Sequence, residues 1–387
     1  NYTLPFDKIP FLKFIQTQYS YSGDFLWTKG SEILRGLEAI PDLGNSVQNS
    51  AQHQINTNLN MSSLYSYLGL TKKRSTSKTI IRNTSRRRGV SGQDQQQNDT
   101  STNASSTADT DLGLGGHIFN TVIGVVTALD RLQVNYSDTK GTFIPGYTNN
   151  IGFGGTLKPT AGFTFGSQND VRREVARRGW LTMYQDFNEQ YVRTDNQQLD
   201  IQAGLKLLPG LTVDLTANSL YSDTYTENYK VNPSTLDYTS IIPNTFGNFN
   251  ISTNMIRTSF QSSTKDVSET FEQFRANRFI IANRLAENAG IDTNNPDNID
   301  ENGFPVGFGR TSQDVLLPSF LSAYTGASAD SEDLGLFRNI PLPGWNLKYT
   351  GFMRWKWFKE NFNRFSIQHG YRSTYTINQF QSNLEYN

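Results

Sequence analysis

The chain has 387 residues, no cysteine, and Lys plus Arg balanced against Asp plus Glu at 35 each. The missing thiols exclude disulfides, thiol catalysis and thiolate metal sites, and the zero charge balance removes any global attraction for nucleic acid. Aromatic residues at 12% with a mean hydropathy of -0.54 exclude a bundle of membrane helices but suit long strands, whose polar and apolar faces cancel in an average.

Strand-like alternation begins early. Ile15, Thr17, Tyr19, Tyr21, Phe25 and Trp27 alternate with Gln16, Gln18, Ser20, Ser22 and Asp24. From Ser46 to Asn60 every even position is Ser, Gln or Asn, including Gln48, Gln52, Gln54, Asn56 and Asn58, while Val47, Ala51, Ile55 and Leu59 hold odd positions. Side chains of a strand point alternately to opposite faces, so each run predicts a strand with one wet face. A one-residue slip would exchange the faces, so the pattern sets the register. At about 3.3 Å per residue the second run is roughly 50 Å long, beyond the strands common in soluble sheets.

Residues 71–115 read as a low-complexity loop. Lys72, Lys73, Arg74, Lys78, Arg82 and Arg86 to Arg88 precede a Gln, Asn, Ser, Thr and Asp tract almost free of apolar residues. Such a tract cannot bury enough surface to offset its ordering entropy, so 71–111 is expected to be flexible and dispensable for folding; its basic half also suits lipopolysaccharide or acidic partners. Ile118, Val122, Val125 and Leu129 would share one helical face, in a run too short to cross a membrane. Gly152, Gly154 and Gly155 lack a following amphipathic helix, which makes them turn glycines rather than a phosphate cradle.

Alternation resumes with Leu199, Ile201, Ala203, Leu205 and Leu207 against Gln198, Asp200, Gln202 and Lys206. After Leu208-Pro209-Gly210 come Leu211, Val213, Leu215 and Ala217 against Thr212, Asp214, Thr216 and Asn218. This predicts a hairpin on a tight Pro-Gly turn. A connection is expected near 232–244 and a descending strand from Phe246, after which strand parity fails to close unless another strand hides before Pro343 or a large periplasmic element intervenes.

Val267, Phe271, Phe274, Ile281 and Leu285 predict a helix over 265–288, with a start at Ser263-x-x-Asp266 and Gly290 as its stop. Residues 311–324 have a second helical pattern. The Asp292, Asn294, Asp297, Asp300, Asn302, Gly303 stretch has a calcium loop's composition but not its spacing. Finally Trp345, Leu347, Tyr349, Met353, Trp355 and Trp357 alternate with Asn346, Lys348, Thr350, Arg354 and Lys356. Phe365, Ile367, Tyr371, Tyr375 and Ile377 alternate with Ser366, Gln368, Arg372, Thr374 and Thr376, which predicts a second hairpin. Phe25 with Trp27, and Trp355 with Trp357, are expected at headgroup depth.

The expected organisation is therefore barrel strands over 1–70, the loop over 71–115, strands with insertions over 116–260, a helical insertion over 261–340 and a barrel hairpin over 341–387. The fold expectation is all-β: a segment of a very large transmembrane antiparallel β-barrel with helical and disordered loop insertions. Long strands with one wet and one aliphatic or aromatic face are the signature of such a barrel. Asn1 opens near strand-like sequence and another alternation starts at Leu384 and Tyr386, which suggests a piece of a longer chain; an open sheet with two free edges does not suit lipid. The residues expected to face the lumen are Gln16, Gln18, Gln48, Gln52, Gln54, Asn56, Asn58, Gln202, Lys206, Asp214, Lys348, Arg354 and Arg372.

Outer-membrane barrels include proteases and phospholipases, which need a nucleophile or water held by His and a carboxylate. His53 and His369 fall on predominantly apolar strand faces and His117 in a glycine-rich loop, so no catalytic, metal or cofactor site is expected.

Several phrases carry a more specific likeness: Leu4-Pro5-Phe6-Asp7-Lys8-Ile9-Pro10, Tyr19 to Phe25, Gly44 to Ser50, Phe165-Gly166-Ser167-Gln168, Gly303 to Gly309, Asp314 to Pro318 with Ala323-Tyr324-Thr325-Gly326, and Ile340 to Trp345 with Tyr349-Thr350-Gly351. In this order and spacing they resemble the later part of the Bacteroidota outer-membrane translocons known as SprA or Sov, of the type 9 secretion system. The resemblance implies a single-chain barrel of exceptional size that exports folded cargo proteins and supports gliding motility where present. It also implies a side opening occupied by a PorV-like shuttle barrel or a periplasmic plug protein, an outer-membrane lipid and lipopolysaccharide environment, and no nucleic-acid partner. The same strands would also suit a TonB-dependent-type receptor, and the loops a surface adhesin or scaffold anchored by a barrel.

Overall fold

A computed structural model describes residues 1–31, 43–70, 126–151 and 157–381. The loop over 71–115, the helical face of Ile118, Val122 and Val125, the Gly152-Gly154-Gly155 turn, His117 and the alternation at Leu384 and Tyr386 lie outside the described residues. The alternating runs form strands: β1 (Tyr2–Leu4), β2 (Ile15–Thr28), β3 (Asn45–Asn60), β4 (Leu129–Tyr147), β5 (Tyr191–Leu208), β6 (Leu211–Val231) and β7 (Tyr238–Ser252), then β8 (Gly344–Tyr349), β9 (Ile367–Tyr371) and β10 (Thr374–Gln381). They make one 10-stranded sheet in which each pair is antiparallel, ordered β1-β2-β3-β4-β5-β6-β7-β10, with β8 between β6 and β9. Strand makes up 41% and helix 23%, a mostly antiparallel sheet with helical insertions, as the fold expectation has it, and among the described residues the sheet is not closed into a barrel. Pro209 and Gly210 turn β5 into β6, with Gly210 at the φ of 91° that the second corner of a Pro-Gly turn requires.

The parity problem has an unexpected resolution. On β6, Ser219 pairs with Ile251 of β7 while Thr216 pairs with Gly344 of β8, both antiparallel. β7 and β8 therefore share one position in the sheet beside β6, and residues 253–343 are spliced between them partway down the strand. The far side follows: β9 pairs with β8, and β10 with β7. The β6–β7 connection is also shorter than expected, with the Asn232 amide bonding to the Asp237 carbonyl at 3.0 Å.

The second hairpin is corrected in the same region. β8 ends at Tyr349, and the chain enters a 3-10 turn at Gly351–Arg354 and a short helix at Lys356–Asn361, so Arg354 and Trp357 are not strand residues. Phe352 gathers Phe358 and Phe365 at ring-centroid distances of 5.1 and 5.7 Å, and this local packing overrides a period-2 pattern only a few residues long. Arg372 falls in the step between β9 and β10, where the sheet passes from one half-strand to the other.

Short helices follow the strands in three places: α1 (Met61–Tyr67), then α2 (Ala161–Thr164) and α3 (Arg172–Arg177) in the β4–β5 connection. Phe163, Val175, Ala176 and Leu181 of that connection pack with Val47, Ile144 and Tyr147 of the sheet. Phe25 and Trp27 join this cluster, with Phe25 edge-on to Phe163 at 6.2 Å, so these two aromatics meet protein instead of headgroups. The spliced segment holds α4 (Glu269–Asn288) and α5 (Gln313–Thr325). The start of α4 is corrected from Ser263 to Ser268, whose hydroxyl accepts the Phe271 amide at 3.3 Å; Gly290, at φ 74°, follows its end. Asn277 of α4 donates to the Ser322 hydroxyl of α5 at 2.7 Å in a buried contact, beside a small core of Ala282, Phe304 and Val315. The short helix at Lys356–Asn361 is α6.

Candidate functional site

Residues directly opposite in an antiparallel pair share a face, so the registers sort the sheet into two sides. One side is built rung by rung from Gln18, Asn56, Asn135, Asp200 and Asn218, and from Gln16, Asn58, Gln133, Gln202 and Thr216. Above them run Ser20, Gln54, Ser137 and Gln198, and below them Gly204 and Asp214, then Lys206, Thr212 and Lys348. All the residues expected on the wet side therefore share this face except Arg354 and Arg372. Leu26, Phe143, Val192, Leu220 and Phe246 interrupt it towards the far end.

Amides, hydroxyls and spaced charges bond to one another along this side. Ser222 donates to Asn196 at 2.5 Å, Asn250 to Thr376 at 2.6 Å and Asn218 to Asn250 at 3.3 Å. Lys206 meets Asp130 at 2.9 Å and Arg131 meets Asp214 at 3.9 Å, both solvated pairs that add little stability. Gln54, Asn56, Gln133, Asn135, Gln198 and Asp200 line an open groove of about 490 Å³.

The reverse side is divided by height. Next to the Pro209-Gly210 turn it is mostly apolar: Ile15, Leu59, Leu132, Ala203, Leu215 and Trp345 form one rung and Tyr19, Ile55, Tyr136, Leu199 and Ser219 another, while the rung between them sets Thr17 and Thr57, bonded to each other at 3.0 Å, beside Val134, Ile201 and Ala217. From Leu211 to Tyr221 on β6, at about 3.3 Å per residue and a tilt of about 40°, this band is roughly 25 Å tall. The next rungs carry charge, with His53, Asp138 and Gln197 in one and Lys140, Asp195 and Asp223 in the other. Lys140 bridges Asp138 and Asp195 at 3.2 and 3.4 Å. Beyond them the 157–190 connection covers the sheet; the spliced segment covers the β7–β10 side lower down, at the height of Ser219 and Tyr221, through Leu321 and Phe337 against Phe249, Ile251 and Tyr375.

A buried ionic clamp fastens the first of these covers. Arg172, opening α3, bonds Asp170 twice at 2.9 Å and reaches Glu227 of β6, whose side chain is 0% exposed. Glu227 also accepts from Tyr225 at 2.7 Å, Tyr238 at 2.5 Å and Ser240. Tyr191, Tyr225 and Tyr238 surround the guanidinium, with ring centroids at 4.5, 5.6 and 5.7 Å. Burial alone would raise the Glu227 carboxyl; the hydroxyls of Ser240, Tyr238 and Tyr225 and the charge of Arg172 outweigh it, so the net shift is downward. The side-chain bond from Arg172 likewise holds Asp170 below the usual carboxylate range. Sequence reasoning missed this clamp, although Glu227 flanked by Tyr225 and Tyr229 on the covered face was a signal.

Neither described histidine has a catalytic setting. His53 Nδ1 pairs with the Tyr19 hydroxyl at 2.7 Å, and His369 Nδ1 accepts from Trp345 Nε1 at 3.2 Å. The aspartates of 292–303 serve turns: Asp292 accepts the Asn294 amide at 3.0 Å, and Asp300 accepts those of Asn302 and Phe304 at 2.8 Å. No group of three His, Asp or Glu able to hold a metal occurs among the described residues. No helix among them is long and apolar enough to cross a membrane, which says nothing of strands. No protein-family model and no curated protein matches the chain.

Proposed function

We propose that this sheet is part of the wall of a large outer-membrane β-barrel that conducts folded proteins, of the SprA or Sov kind. The observation that carries the reading is the opposition of its two faces: one polar from the short-turn end until Leu26, Phe143, Val192, Leu220 and Phe246 interrupt it, the other mostly apolar over roughly 25 Å, the thickness an outer-membrane barrel presents to lipid. Tyr136 stands at the upper edge of that band, beside the charged rungs, where amphipathic rings favour an interface, whereas Tyr21 and Tyr221 at that height meet the covers, Tyr21 through the Phe165 carbonyl and Tyr221 against Phe337 at 5.4 Å. In the bilayer the free edges pair with further strands, since exposed strand edges are not tolerated in hydrocarbon.

A lumen of amides, hydroxyls and alternating charge offers a sliding protein many weak contacts and no large apolar patch to hold it. Transport then depends on width, and no single side chain is essential. Lys206→Ala and Asn56→Ala are expected to leave cargo export within about twofold of wild type, a change worth under about 0.5 kcal/mol. Loss of export in either variant would point to a specific binding site instead. Removing the protein from the cell is expected to abolish export of folded cargo; unaffected export with loss of growth on one nutrient would favour a receptor.

Labelling tests the faces directly, because the chain has no native cysteine. A membrane-impermeant maleimide is expected to react with Gln52→Cys and to spare Ile55→Cys in assembled, unplugged protein. Equal reaction at both sites would defeat the assignment.

A further inference from the structure

We propose that the connection between β8 and β9 is a basic aromatic foot that lies on anionic phospholipid at the short-turn end of the wall. The inference rests on the barrel-wall reading and adds to it a lipid-binding surface with a charge preference. Three observations lead to it.

The first is an aromatic cluster that remains open to solvent. Phe352 stacks on Phe358 at 5.1 Å and meets Trp355 at 5.3 Å, while Trp357 lies against Phe358 at 5.0 Å and Phe362 at 5.9 Å. Packed together in this way, Trp355 and Trp357 are still 59% and 61% exposed. Indoles combine a large apolar body with one N–H donor and favour an environment that is apolar on one side and wet on the other.

The second is charge. Arg354, Lys356, Lys359 and Arg364 surround the rings against one acidic residue, Glu360. The only ion pair within this group, Lys356 with Glu360 at 3.7 Å, is solvent-exposed and leaves the excess positive charge facing outward. Clustered cations beside apolar rings favour a surface of lipid phosphates over an uncharged one.

The third is position. The Thr350 amide bonds to the Gly210 carbonyl at 2.7 Å, and Leu211 pairs with Tyr349, so the foot begins where the apolar band ends. Other turns at this end of the sheet also leave apolar side chains open, with Phe11, Tyr67, Leu68 and Leu208 all exposed. The foot is thus continuous with the lipid-facing surface and carries the charge that the adjoining leaflet would attract.

Lys356→Cys, labelled with an environment-sensitive fluorophore, reports on this place alone. The full protein would be reconstituted into vesicles of phosphatidylcholine, with or without phosphatidylglycerol, using chain-brominated lipids as quenchers. The expected result is a blue-shifted, quenched label, with quenching strengthened by phosphatidylglycerol and reduced severalfold by Lys359→Glu with Arg364→Glu or by high salt. A label at Ile55→Cys in parallel samples separates the two hypotheses. Quenching at 55 without quenching at 356 overturns the foot alone, whereas no quenching at 55 overturns the wall. Quenching at 356 that ignores phosphatidylglycerol and the charge reversals overturns the anionic preference, and protection that follows protein concentration instead of lipid overturns it in favour of a protein partner.

Discussion

Glu227→Ala is expected to release the 157–190 cover from the wall at a cost of about 3 to 5 kcal/mol, the range for removing one partner of a buried ion pair. The carboxylate is the common acceptor of Arg172, Tyr225, Tyr238 and Ser240, and its side chain is fully buried, so alanine strands several donors together. Asp170 still holds the guanidinium, which favours the lower end of that range. Trypsin provides the measurement, since Arg172, Arg173, Arg177 and Arg178 all lie in or beside α3. If cleavage follows the open population, the variant is expected to be cut about 100-fold faster or more. Replacing the pair together, as Arg172→Met with Glu227→Leu, is expected to recover part of the protection, because neither charge of the pair is then left buried alone while Tyr225, Tyr238 and Ser240 still lose their common acceptor. Unchanged cleavage in Glu227→Ala would show that the apolar cluster around Phe163 and Val175 holds the cover unaided.

The same clamp gives the cover an acid limit. Asp170 and Glu227 both titrate below their ordinary values when folded, so their stabilising contributions are complete above the unfolded carboxylate values, about 3.9 and 4.3. They are lost as the pH falls through the depressed folded values. Tryptic peptides cannot be followed that far down, but pepsin at pH 2 to 4 can test whether 157–190 opens before the hydrogen-bonded strands do.

What the sequence revealed and what it concealed follow from the range of the interactions. Gln16 to Asp24 and Gln48 to Asn58 show their face locally, since period 2 over many residues has one reading. Trp355-Lys356-Trp357 is too short a pattern to separate a strand from the helix that Phe352, Phe358 and Phe365 impose. Phe25 and Trp27 alternate as lipid-facing aromatics would, and no local pattern distinguishes a lipid neighbour from Phe163, more than a hundred positions along the chain. The splice is hidden for a similar reason: Ser252 and Gly344 become neighbours only because both halves pair with β6. The clamp joins residues 170, 172, 227, 238 and 240, and only Glu227, a charge between Tyr225 and Tyr229 on one face of β6, marked the place.

Ile201 and Gln202 offer a comparison in which one peptide unit separates the two environments. Ile201 pairs with Val134 and Ala217 within the apolar band, while Gln202 pairs with Gln133 and Thr216 on the wet side. An arginine facing hydrocarbon near the middle of an outer-membrane barrel costs about 2 to 4 kcal/mol, whereas one facing an aqueous lumen costs little. With the sheet in the proposed barrel, Ile201→Arg is therefore expected to impair heat-modifiable assembly and lower folding stability in vesicles by that amount, with Gln202→Arg close to wild type. The adjacent positions share a strand, a height and nearly the same backbone environment, so propensity and chain entropy largely cancel between the variants and the difference reports the medium on each side. Reversed costs would put lipid on the amide face and turn the helical covers towards the lumen. Equal, small costs would place water on both sides of the sheet, remove the bilayer from the reading, and leave the long strands as a platform for surface binding.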